Sequence, residues 1–141
     1  MNSALPPLAW PLGLAGLLPF TAGLAGMAMG VGWAGPALAG YGAVILAFLG
    51  GVHWGLALHA PGQADRLRLV GGVLPSLVAW VALLLPTGLG LVVLGLGLLG
   101  LVAAESWAAR RGLLPWAYLR LRWVLSLVAA ACLLGGAALI G

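Results

Sequence analysis

The chain has 141 residues, 64% of them hydrophobic and 6% charged, whereas a soluble domain carries roughly a quarter charged residues. Six basic and two acidic side chains cannot cover a water-facing surface, which excludes a soluble fold. The 24 glycines and 9 prolines follow no Gly-X-Y period and lie in strongly apolar sequence, which excludes collagen and low-complexity disorder; the net charge of +4 sits beside apolar runs, not in a nucleic-acid patch.

Crossing ~30 Å of hydrocarbon as a helix takes about 20 apolar residues. The first such run, residues 8–31, carries Pro11 near its start and Pro19 inside it, where the missing amide donor predicts a kink. The glycine-rich stretch 30–36, ending in Pro36, breaks this run. The second run, residues 38–58, ends at the polar stretch 59–66. The third, residues 67–85, contains Pro75 as a second expected kink. Pro86-Thr87-Gly88 is a turn signal, so the fourth run, residues 89–107, returns as a hairpin partner. A basic loop from Arg110 to Trp116 leads to the fifth run, residues 118–140.

The basic residues are all arginines, and they flank two loops only: Arg66 and Arg68 after the second run, and Arg110, Arg111, Arg120 and Arg122 after the fourth. The positive-inside rule then predicts an all-α integral membrane protein, a compact bundle of five transmembrane helices forming one domain over 1–141, with its N-terminus cytoplasmic and its C-terminus periplasmic. Merging or dropping a run would scatter the arginines over both faces. Trp33 suits the outer interface and Trp10, Trp107 and Trp116 the inner one, while Trp54, Trp80 and Trp123 lie deeper. The first seven residues carry no positive charge and precede a run too long for a signal peptide, so no cleavable leader is expected. Without an arginine-rich transit peptide, the expected location is a bacterial inner membrane. The expected partners there are the bilayer and its anionic headgroups at the cytoplasmic face, and no nucleic acid.

Lipid is as apolar as leucine, so membrane helices associate through close packing that small residues permit. Ala43, Ala47, Gly51 and Gly55 form a small-residue ridge on the second run. Gly26 with Gly30 on the first, Gly100, Ala104 and Ala108 on the fourth, and Ala131 with Gly135 on the fifth repeat the spacing. Such faces fit internal packing, a homo-oligomer or another membrane protein. The single cysteine, Cys132, excludes an intramolecular disulfide.

His53 is the one ionisable side chain well inside a run, which makes it a functional candidate by default; the plainer reading is a neutral imidazole bonded to a neighbouring helix. His53 and His59 are six residues apart, about 600° of helix, and cannot ligate one haem or metal from a single straight helix. Asp65 and Glu105 are not at ligand spacing with His53. No nucleophile elbow, HExxH, phosphate loop or dinucleotide fingerprint occurs, so no catalytic residue, cofactor or metal is assigned. The topology does carry His53, Glu105, Arg120 and Arg122 to one leaflet, with Trp54 beside His53. Glu105 can pair with Arg120 or Arg122 and His53 can join, as a snorkelling salt bridge pinning helix ends or as a binding site. Tyr41 reads as an interfacial anchor.

Residues 12–20, the stretch from Tyr41-Gly42-Ala43 to His53-Trp54-Gly55, and the stretch from Leu114-Pro115-Trp116 to Arg120-Leu121-Arg122 resemble the domain of unknown function 3429 family. The Tyr-Gly-Ala to His-Trp-Gly stretch is the specific part. Trp116-Ala117-Tyr118 departs from the family's pattern, in which the spacer precedes a Trp-Tyr pair. The resemblance implies a small multi-pass protein of bacterial inner membranes and, in eukaryotes, of mitochondria, and it carries no activity or catalytic residue with it.

The expected role is a noncatalytic structural, assembly or modulatory partner of a larger membrane complex. Two other readings stay open. One is an oligomeric proton, anion or small-solute carrier using His53, Glu105 and Arg120. The other is a haem- or quinone-binding protein with His53 and Trp54 at the cofactor.

Overall fold

A computed structural model describes residues 4–62 and 64–140. The helices are α1 (Ala9–Ala15), α2 (Leu18–Ala28), α3 (Ala34–His59), α4 (Asp65–Leu84), α5 (Thr87–Arg110) and α6 (Trp116–Ile140). With α1 and α2 taken as one span, five segments are long and apolar enough to cross a membrane, and no strand occurs among the described residues. Met1, Asn2 and Ser3 of the expected leaderless N-terminus, and Gln63 of the polar stretch, lie outside the described residues.

The expected kink at Pro19 is a break. α1 stops at Ala15, and α2 begins at Leu18 with Pro19 in its first turn, where a missing amide costs no helical bond. The Gly16 carbonyl at the break accepts a 2.8 Å hydrogen bond from the Tyr41 hydroxyl. Tyr41 also packs edge-on against Phe20, with ring centroids 4.9 Å apart. It therefore braces the break from inside the bundle. Tyr41→Phe is expected to cost about 0.5–1.5 kcal/mol, the net worth of one such bond. Thermal unfolding in detergent measures this, and an unchanged midpoint would show the bond to be idle.

The end of α2 corrects the reading of Gly30 as a packing residue. Its φ is +79°, and the amides of Gly30 and Val31 bond back to Met27 and Gly26 at 3.1 and 2.9 Å. This is a Schellman stop, which needs a residue free to turn left-handed. α3 then starts at Ala34, not Leu38, because Pro36 falls within its first turn, where proline is tolerated. Pro75 stays inside α4, on its buried side.

The spans form a ring in the order α2, α3, α4, α5, α6 and back to α2, with α3 and α5 also meeting across the middle. Phe20, Leu38, Leu46, Leu91, Leu94, Leu98 and Leu133 fill the centre, while Leu58, Leu77, Leu84 and Leu127 face outward. Alternating helix direction places all six arginines at one end of the ring. Arg68 Nη2 ties the start of α4 to the α5–α6 loop there by donating to the Leu113 carbonyl at 3.1 Å. Trp10, Trp116, Arg120 and Trp123 share a hollow at that end.

Candidate functional site

Three buried stripes, each stepping by three and four residues, meet near the arginine end. On α5 the stripe runs Leu91, Leu94, Leu98, Val102, Glu105. On α6 it runs Arg122, Ser126, Ala129, Leu133, Gly136. On α3 it runs Ala39, Gly42, Leu46, Gly50, and His53 continues it by the same step. Residues at such spacing share one helix face, so the polar member of each stripe is turned into the bundle with its apolar companions.

The three polar residues join in a line. Glu105 Oε2 accepts from Arg122 Nε at 2.9 Å, and Glu105 Oε1 lies 3.0 Å from His53 Nε2. A carboxylate only accepts, so this geometry sets the imidazole proton on Nε2. Arg122 extends the line by donating from Nη1 to Ser126 Oγ at 2.9 Å. Glu105 and Arg122 are 1% and 3% exposed, which removes the water screening that makes surface ion pairs weak. The expected snorkelling bridge is thus an internal one. Arg120 does not join it: two residues before Arg122, it is rotated about 200° away and lies exposed beside Trp10 and Trp116.

Trp54 faces the α4 side, where its Nε1 donates to the Leu69 carbonyl at 2.9 Å. Of the expected packing positions, Gly26 meets the Ala34 methyl and Ala47 is half-buried. Gly51, Gly55 and Gly100 have no atom within 4 Å of where a Cβ would stand, and Ala104 is exposed. The backbone contact between α3 and α4 uses the neighbouring ridge, with Gly50 against Gly72. Adjacent small residues lie about 100° apart on a helix, so Gly50 and Gly51 serve different faces.

Three members of this region went unrecognised in the sequence. Ser126 lies one turn after Arg122, and Tyr118 one turn before it; their spacing was the available signal. Arg68 is 8% exposed and stands on the buried α4 stripe with Gly72, Pro75 and Ala79. Its position beside a loop made it read as a topology signal alone. The buried atoms Arg68 Nη1, Arg122 Nη2 and Tyr118 Oη have no hydrogen-bond partner among the described residues.

Two cavities flank the line. One, of about 110 Å³, lies between α4 and α5 and has His53, Arg68 and Glu105 among its walls. The other, of about 160 Å³, is reached beside the α1–α2 break and ends on Arg122 and Ser126. Among the described residues no three His, Cys, Asp or Glu side chains group closely enough to hold a metal ion.

The chain is similar to Transmembrane protein 69 of Xenopus tropicalis, with 38% identity over 135 residues covering 88% of this chain and 51% of the relative. It is also similar to Transmembrane protein 69 of Mus musculus, with 38% identity over 95 residues covering 60% of this chain and 38% of the relative. The chain thus spans about half the length, or less, of these curated relatives. No solved structure matches it. The family described as "Protein of unknown function (DUF3429)" matches residues 5–138. That match takes in almost the whole sequence, all five spans and the His53 stretch included, and the chain belongs to the DUF3429 family.

Proposed function

We propose that this membrane-embedded protein is a noncatalytic structural, assembly or modulatory partner of a larger membrane complex. The supporting observation is that both oxygens of Glu105 are engaged by the bundle's own Arg122 and His53. Ionisable groups in a bilayer are costly and mark a function or a structural need, and here they hold three helices together. A carrier built on His53, Glu105 and Arg120 has less support, because Arg120 stands outside the line. On this reading the arginine end faces the cytoplasm of a bacterial cell with its inner membrane as the site of action, following the positive-inside rule.

Affinity purification from the native membrane in mild detergent tests the proposal. A membrane protein recovered in constant stoichiometry is the expected result. Recovery of this chain alone, under conditions that keep known complexes intact, would overturn it.

A further inference from the structure

Arg68 is a buried cation without an anion of its own. Its Nη2 is held by the Leu113 carbonyl, its Nη1 has no partner, and no acid pairs with it among the described residues. Asp65, one turn earlier on α4, turns its Oδ2 to the Gly62 amide at 2.8 Å, and its buried Oδ1 has no partner and does not reach Arg68. Glu105 shares the cavity wall with Arg68, but its charge is already met by Arg122. A guanidinium taken out of water without a counter-charge is costly, and a charge-assisted bond to an oxyanion is the interaction that offsets it best.

The cavity beside Arg68 has the shape such an anion needs if it carries a hydrocarbon chain. It opens between α4 and α5, with Leu67 and Gly71 on one side and Leu101 and Ala104 on the other. Leu113 and Leu114 close its arginine end. Gly71 leaves the cleft open, since no atom lies within 4 Å of where its Cβ would stand. The exposed Arg66, Arg110 and Arg111 at the same end add positive field around the entrance.

We infer that this cleft is a binding site for an acidic phospholipid of the surrounding bilayer, with its phosphate on Arg68 Nη1 and an acyl chain lying between α4 and α5. A zwitterionic lipid fits less well because it brings its own cation to a site that already has one. The site requires no partner protein.

Native mass spectrometry and thermal unfolding in detergent, with phosphatidylglycerol or phosphatidylcholine added at equal mole fraction, provide the test. The wild-type chain is expected to retain one phosphatidylglycerol and to melt several degrees higher with it than with phosphatidylcholine. In Arg68→Gln the bound fraction is expected to fall about tenfold, as for loss of one charge-assisted bond. Gly71→Leu fills the cleft without touching charge and is expected to lose the same lipid, so the test survives if Arg68→Gln fails to fold. Arg120→Gln, in the separate hollow beside Trp10 and Trp116, changes the net charge equally and is expected to bind as wild type. Equal retention of phosphatidylcholine, full retention by Gly71→Leu, or the same thermal shift from glycerol phosphate alone would each overturn the assignment.

Discussion

Arg122→Met is expected to destabilise the protein by about 3–5 kcal/mol, because it leaves the Glu105 carboxylate buried without its main counter-charge. The residues are 3% and 1% exposed, and the guanidinium bond between them is 2.9 Å long. A screened bridge at a helix end would cost only about 0.2–1 kcal/mol, so the magnitude separates an internal tie from a snorkelling one. Replacing both partners, as Arg122→Met with Glu105→Leu, is expected to recover most of the loss, since an apolar pair of similar volume needs no counter-charge. The measurement is a double-mutant cycle by reversible unfolding in detergent. Single-variant losses that simply add in the double variant would mean that the two side chains are energetically independent, whatever their distance.

That cycle bears on why the site was only half legible in the sequence. The few charges marked it: His53, Glu105 and Arg122 stood out because ionisable residues are so scarce in the spans. Choosing between Arg120 and Arg122 needed the face of α6. Arg122 shares the three- and four-residue steps of Ser126, Ala129 and Leu133, and Arg120 does not. In a soluble helix the apolar stripe would have announced that face. Here Leu127 and Val128 on the lipid side are as apolar as Leu133 on the inside, so hydrophobicity alone gives no inward direction.

The fold was more legible, since span length follows from bilayer thickness and the turns carry their own residues. Pro86 and the Arg110 to Pro115 loop fall where the helices change direction. The departures all involve proline or glycine in roles that depend on register. Pro19 fits a helix start as well as a kink, and the Tyr41 bond to Gly16 accompanies the start. Gly30 fits a packing ridge as well as a helix stop, and its positive φ belongs to the stop.

The same ambiguity at Gly50 and Gly51 leads to the second large effect. Gly50→Ala is expected to destabilise by about 1–3 kcal/mol or more, the usual range for overpacking, whereas Gly51→Ala is expected to stay within about 0.5 kcal/mol of wild type. A Cβ on Gly50 would collide with the Gly72 carbonyl, and one on Gly72 would stand 2.7 Å from the Gly50 oxygen. The two glycines therefore turn Cα hydrogens toward each other's carbonyls, a weak bond that recurs at close helix crossings. Backbone cannot rotate aside as a side chain can, so α3 and α4 would have to separate. Separation would stretch the Trp54 bond to Leu69 and move His53, one turn beyond Gly50, relative to Glu105. Gly51 faces open space, and both substitutions change helix propensity by the same amount. The difference between their unfolding free energies therefore isolates the contact. Equal stabilities would mean that α3 and α4 cross elsewhere, and the stripe that aims His53 at Glu105 would have to be redrawn.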